Sequence, residues 1–354
     1  MNINDIIIKN DLDGVFVTSL INIRYLSSFT GSDATVLITK DKKYIFVDSR
    51  YYEQATAQCI GFNVILITNV DLLFKLNDTI EENNIKNLGF EQDNMLYESY
   101  AYFKQQLKAD LKPISLKKVR MVKNQEEIDT IKKAIEITDD AYDYILEFIK
   151  IGMSEMQIAN ELNKFILDQG ATGMSFETIV ASGKRGSMPH GVASDKLIEE
   201  NDFVTIDFGV FYNGYCSDMT RSFVVGTNPD KELVKIYNVV KEAQQLACDN
   251  IKPGMKASEV DAIARNYIKE QGYGEYFNHG LGHSIGLEIH ELPYVSPTSH
   301  EILETNQIIT IEPGIYIPEL GGIRIEDDVL ITKDGAIQLN RSSKELIYID
   351  GRTK

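Results

Sequence analysis

The chain has only three cysteines, Cys59, Cys216 and Cys248, odd in number and without C-x-x-C spacing. That excludes a disulfide framework and a cysteine-built zinc site, and leaves packing as their role. No apolar run approaches the ~18 residues of a membrane span. The first residues, Met1-Asn2-Ile3-Asn4-Asp5, carry acid where a secretory signal needs cations, so a cytoplasmic protein with no membrane association is expected. Clustered Lys and Arg are missing too. With 53 acidic against 36 basic residues and a formal charge of −17, nucleic acid is excluded as a partner. No G-x-G-x-x-G or Walker sequence and no Pro/Ser-rich tract interrupts the chain.

What remains is an ordinary globular composition, 43% hydrophobic and 25% charged over 354 residues. At roughly 150 residues per domain, that length suggests about two domains. The first part alternates short β-branched runs (Gly14 to Thr18, Ala34 to Thr39, Tyr44 to Val47, Asn63 to Thr68) with helix-like ones, which predicts a mixed α/β sheet domain. Around Leu111-Lys112-Pro113 the pattern breaks. After Lys118-Val119-Arg120, Asn124 can cap a helix with Glu127 at its third position, and Ile128, Ile131, Ile135, Tyr142, Ile145 and Ile149 recur at helical spacing. The expected domains are 1–118 and 119–354.

The second part repeats itself. Lys150-Ile151-Gly152-Met153 through Gly170 matches Lys252-Pro253-Gly254-Met255 through Gly272 at an offset of 102 (252 minus 150), each a helix ended by glycine. Phe203 to Gly209 matches Ile308 to Gly314 as strands at an offset of 105 (312 minus 207). Two α/β halves of one plan pack most simply about a pseudo-twofold axis with both strand sets in one sheet.

In the matched strands, Asp207 and Glu312 are equivalent carboxylates set among Val, Ile and Phe, which a buried strand tolerates only if a cation or strong hydrogen bonds compensate. Each strand returns through a hairpin with a second carboxylate, Asp218 or Glu326. Four converging carboxylates carry −4, which two divalent ions neutralise. All five histidines fall in the second part. His190, His279, His283 and His290 sit in glycine-rich or turn contexts, and His300 reads as a loop residue. Arg324, two residues before Glu326 on the same strand face, suits a supporting role behind the ligands.

The order Asp207, Asp218, His283, Glu312, Glu326, with His279-Gly280-Leu281-Gly282-His283 and Ile311-Glu312-Pro313-Gly314, resembles the creatinase/methionine aminopeptidase ("pita-bread") metallopeptidases, proline-specific branch. Asn22 to Ser32 is similar to the creatinase-type N-terminal domain, which methionine aminopeptidases lack. The resemblance implies a creatinase-type domain followed by a pita-bread catalytic domain, usually as a homodimer. It places one metal on Asp207 and the other on His283 and Glu312, with Asp218 and Glu326 bridging. His190, His279 and His290 then surround the substrate, and Glu312 moves the proton of the attacking water. Four carboxylates and one imidazole favour Mn(II), with Co(II) or Zn(II) as substitutes. The implied activity is hydrolysis of the Xaa-Pro bond of short proline-containing peptides. Xaa-Pro aminopeptidase is the main reading and Xaa-Pro dipeptidase the alternative, because His290-Glu291-Leu292-Pro293 is followed by Tyr294 where many prolidases carry arginine. A non-catalytic binding module, a metal-free creatinase-like hydrolase and a methionine aminopeptidase fit the residues less well.

Overall fold

The computed structural model describes residues 2–68 and 70–352, and the chain divides into two compact units, Met1–Arg120 and Met121–Lys354. The first unit is built on a six-stranded mixed sheet in the order Asn63–Leu66, Lys43–Val47, Thr35–Thr39, Gly14–Val17, Asn87–Glu91, Asp110–Ile114. Leu111-Lys112-Pro113, where the sequence pattern breaks, lies in the last of these strands. It is an edge strand with one parallel neighbour, and an edge tolerates proline and polar residues that an interior strand does not.

In the second unit the helix Gln125–Phe148 starts on the expected capping box: Asn124 Oδ1 accepts the Glu127 N–H at 3.0 Å and Glu127 accepts the Asn124 N–H at 2.8 Å. Its predicted apolar face, from Ile128 to Ile149, is buried. The repeat is plain in the backbone. Helices Glu155–Asp168 and Ala257–Glu270 are 102 residues apart, and Gly170 and Gly272 beyond them take φ of +90° and +89°, the left-handed region that glycine occupies without a Cβ penalty.

Each half then lays a strand pair over its helices. Asp202–Phe208 runs antiparallel to Met219–Val225, and Ile308–Ile311 to Asp327–Thr332. Val204, Ile206 and Phe208 pack with Ile158, Leu162 and Ile166, while Ile309, Ile311, Val329 and Ile331 pack with Val240, Val260 and Ala264. Period-two alternation turns Phe203, Thr205 and Asp207 to the opposite face.

The expected single sheet is not what forms. The strand sets belong to separate sheets, Tyr348–Ile349, Met219–Val225, Asp202–Phe208, Ile179–Ser182 and Glu291–Val295, Gly282–Ser284, Ile308–Ile311, Asp327–Thr332, Gly335–Gln338. Where they meet, the Glu326 N–H donates to the Thr220 carbonyl at 3.1 Å as a ladder would. The reciprocal donor, the Asp218 N–H, goes to the Asp328 side-chain carboxylate at 3.0 Å. A carboxylate in place of a carbonyl ends the ladder after one bond.

Candidate metal centre

One cavity of about 570 Å³ opens at that seam, and Asp207, Asp218, His283, Glu312, Glu326, His190, His279, His290 and Arg324 all line it. His300 is exposed and does not line it. Asp207 sits inside its strand, but Glu312 is the first residue beyond Ile308–Ile311. The cause is local: Pro313, which stands where the first copy has Phe208, lacks an N–H and cannot donate to a ladder, so the second copy ends where the first runs on.

Three ligand atoms, one each from Asp218, His283 and Glu326, lie within 4.8 Å of one another. The His283 Nδ1 faces the Ser284 carbonyl at 3.2 Å and must donate to it, because a carbonyl only accepts. Its Nε2 is then a lone pair, 3.6 Å from Asp218 Oδ2 and 3.5 Å from Glu312 Oε1. Burial, then the neighbouring His290, pushes the His283 pKa down to about 3, so the ring is neutral at pH 7. A lone pair aimed at two carboxylate oxygens is repulsive unless a proton or a metal cation stands between them.

The carboxylates say the same. Burial, then Glu326 and Asp207, holds Asp218 well above the usual carboxylate range. Burial, then Glu312 and Asp207, does so for Glu326, and burial raises Glu312 to about 8 despite Arg324 nearby. Asp207 Oδ1 and Asp218 Oδ1 are buried without a hydrogen-bond partner. Orphaned oxygens and an imidazole lone pair converging on one cavity are the donor set of a hard divalent cation, so the residues present fit a metal site.

A polar frame holds these groups, and most of it escaped the sequence reading. Thr310 Oγ1 accepts the His283 N–H at 3.1 Å and donates to Glu312 at 3.3 Å. Thr220 Oγ1 donates to Glu326 at 2.6 Å. Arg221, 1% exposed, donates to the Glu326 carbonyl and to Asp327 Oδ1, the latter at 2.6 Å. Arg324 donates to Asp207 Oδ2 (2.6 Å), Thr220 Oγ1 (3.0 Å), the Pro189 carbonyl (3.1 Å) and the Tyr316 hydroxyl (2.8 Å). His279 Nδ1 donates to the Gly280 carbonyl at 2.7 Å, which leaves Nε2 to accept from the Tyr316 O–H at 2.9 Å. Burial, then Arg324, lowers the His279 pKa to about 4. Both nitrogens of His279 are therefore engaged within the protein. His190 and His290 instead expose their side chains at the cavity, the His290 ring edge-on to His283 with centroids 4.4 Å apart. A signal for Thr220 was present in the repeat: it stands two residues after Asp218, as Asp328 stands two after Glu326.

Comparison with known proteins agrees with this geometry. Residues 129–333 match the family model of metallopeptidase family M24, and residues 2–122 match the creatinase/prolidase N-terminal domain. An Xaa-Pro dipeptidase of Pyrococcus furiosus is 41% identical over 96% of both chains. Among solved structures, the Xaa-Pro dipeptidase from Bacillus anthracis superposes with a TM-score of 0.95 at 44% identity over 98% of both chains. The X-Pro aminopeptidase from Thermotoga maritima MSB8 superposes with a TM-score of 0.90 at 36% identity over 96% of this chain and 98% of that one. With its carboxylates and imidazole gathered in the matched segment, the chain belongs to metallopeptidase family M24, a metal-dependent peptidase with a creatinase/prolidase N-terminal domain.

Proposed function

We propose that this peptidase removes the first residue from short peptides whose second residue is proline, as an Xaa-Pro aminopeptidase. In this reading Asp207, Asp218, His283, Glu312 and Glu326 would hold two divalent ions, Mn(II) with Co(II) or Zn(II) as substitutes. Ions so held supply a Lewis acid and an activated water at neutral pH. The chain's own residues do the rest. Glu312 takes and returns the proton of the attacking water. His190 and His290, exposed to the cavity, orient the scissile carbonyl and donate to the oxygen as it gains charge. His279, through Tyr316, keeps Arg324 on Asp207. A homodimer, which rests on the family resemblance, and a cytoplasmic location complete the reading.

The observation that carries the substrate assignment is the cavity's charge inventory. Among the described residues that line the cavity, Arg324 is the one Lys or Arg, and its donors are directed at Asp207, Thr220, Pro189 and Tyr316. A dipeptidase must hold a free carboxylate just beyond proline, for which a guanidinium fork is the best-suited group. Tyr294, 45% exposed at the cavity, offers one neutral hydroxyl there. The second reading, Xaa-Pro dipeptidase, draws support from the relatives that bear that name. The ratio of kcat/KM for Ala-Pro-Ala to that for Ala-Pro decides between them. The tripeptide is expected to win, and Tyr294→Arg is expected to move the ratio toward the dipeptide. A tenfold preference for Ala-Pro in the unaltered protein, about 1.4 kcal/mol, reverses the assignment.

A further inference from the structure

Two buried carboxylates outside the set of metal ligands are hydrogen-bonded to the segments that carry His190 and His279. Glu155, the first residue of helix Glu155–Asp168, is 0% exposed. Its Oε1 accepts the Ser182 N–H and Oγ–H, both at 2.8 Å. Its Oε2 accepts the Ser194 N–H at 3.2 Å, the Ser194 Oγ–H at 2.7 Å, and Arg185. Ser182 ends strand Ile179–Ser182, and Ser194 lies just past the loop that follows it. One carboxylate thus ties both ends of the segment that presents His190. Arg185, from within the loop, donates onward to the Val192 carbonyl at 2.8 Å, two residues beyond His190. The residue before His190 is held as well, its carbonyl accepting from Arg324.

The second half holds His279 in the same manner. Asp261, 1% exposed in helix Ala257–Glu270, makes a bidentate pair with Arg265, with Nε to Oδ2 at 2.7 Å and Nη2 to Oδ1 at 2.8 Å. Asp261 Oδ1 also accepts the Leu281 N–H at 3.1 Å. Arg265 donates to the Phe277 carbonyl at 3.0 Å and to the His279 carbonyl at 2.7 Å. The acid grips the backbone after the histidine, and the arginine grips the histidine's own carbonyl and the one two residues before it.

The two clamps are not relics of the repeat. At the offset of 102, the counterpart of Glu155 is Ala257 and that of Asp261 is Ala159. Each half reaches the same arrangement, a buried acid and an arginine gripping the backbone around a cavity histidine, from a different position. A buried carboxylate is tolerated only when its oxygens are satisfied. Here they are satisfied by the segments that carry these two side chains.

We propose that Glu155 and Asp261, each with its arginine, are positioning residues that fix His190 and His279 at the mouth and wall of the cavity. The proposal rests on the peptidase reading for its kinetic arm only. That arm is a double-mutant cycle. Glu155→Gln is expected to lower kcat/KM at least tenfold in the unaltered background, with metal content unchanged, and less than twofold in a His190→Ala background, where nothing is left to position. Asp261→Asn and His279→Ala form the second cycle. A purely structural carboxylate gives the same loss in both backgrounds, and that result overturns the proposal. The second arm needs no activity: with only five histidines, each imidazole signal is assignable by NMR in the metal-free protein. Glu155→Gln should shift or broaden the His190 signal and leave the His300 signal in place, and an unmoved His190 signal refutes the clamp even if the peptidase assignment stands. Should Glu155→Gln fail to fold, Ser194→Ala removes one of its donors and asks the same question with the same two outcomes. If His190→Ala retains full activity, the substrate role given to His190 is lost, while the NMR arm still decides the positioning.

Discussion

The two halves of the catalytic unit share a backbone plan but divide the chemistry unequally. The first brings Asp207 and Asp218 and one cavity histidine, His190, but no imidazole to the ligand set. The second brings Glu312 and Glu326 and adds His279, His283 and His290 on the segment joining helix Ala257–Glu270 to strand Ile308–Ile311. The contrast is sharpest two residues before each hairpin carboxylate, where the first half has Cys216 and the second Arg324. Both are buried, but Cys216 is a thiol that burial pushes up out of its titrating range, while Arg324 bonds to four groups around the cavity. The repeat gives a near-symmetrical set of carboxylates, and the second copy alone adds the imidazole of His283 beside them and the buried guanidinium of Arg324.

That comparison can be broken most severely at the ligands. Asp207→Asn and Glu312→Gln are matched substitutions at equivalent positions of the repeat. If Glu312 alone also moves the water's proton, Glu312→Gln should lower kcat by about three orders of magnitude or more with the circular dichroism spectrum retained. Asp207→Asn should lose activity mainly by losing metal, which excess Mn(II) partly restores. Equal rescue of both would erase the distinction. Next in size, His290→Ala should slow turnover by roughly 10²-fold while elemental analysis finds its metal content unchanged. Loss of metal would make His290 part of the cage.

How much of this was legible beforehand follows a physical line. Asp207 and Glu312 were visible because a carboxylate among apolar strand-forming residues is expensive and therefore conspicuous, and Asp218 and Glu326 because each returning hairpin carries another. The repeat was visible because helix periodicity and terminal glycines survive divergence. Thr220, Thr310, Tyr316, Glu155 and Asp261 were not, since a buried threonine or a helix-borne acid looks ordinary until its partner arrives from a distant segment. Glu155 and Ser194 are 39 residues apart. The single sheet failed for a related reason: nothing local says that Asp328 will accept the Asp218 N–H with its side chain.

Smaller effects sharpen the pairing of Cys216 with Arg324. Arg324→Lys keeps the charge but loses the fork that spans Asp207, Tyr316 and Thr220, and should lower kcat/KM about tenfold. Cys216→Ala should stay within about twofold in activity and cost about 1 kcal/mol in stability as a small cavity, read by urea denaturation. Parity between the two variants would remove the functional asymmetry.

The smallest effect is thermal and concerns both halves together. With metal chelated, Glu312 is held up at about 8 and Asp218 and Glu326 well above their ordinary values. The folded state then binds more protons than the unfolded one, so the stability these groups contribute is full below about pH 4.5 and is lost as pH rises toward 8. His279 and His283, lowered to about 4 and about 3, act in the opposite sense, but only below 6.5. Between pH 6.5 and 8 the Tm of the chelated protein should therefore fall by a few degrees, and saturating Mn(II) should remove the slope. A Tm of chelated protein that is flat over that window would mean the carboxylates are already relieved by something other than a metal.

The seam has a bearing on ancestry. Thr220, from the first half, bonds Glu326 of the second, and Asp328, from the second, bonds Asp218 of the first. A chain made of one repeat would carry half a cage and could complete it only against a second copy of itself, through a patch facing its own image. In such a dimer every substitution appears twice, so the position now held by Cys216 and Arg324 would have to be two thiols or two guanidinium groups. Joining the copies end to end lifted that constraint, and the arginine that reaches Asp207 today is a residue that a symmetrical forebear could not have placed on one side alone.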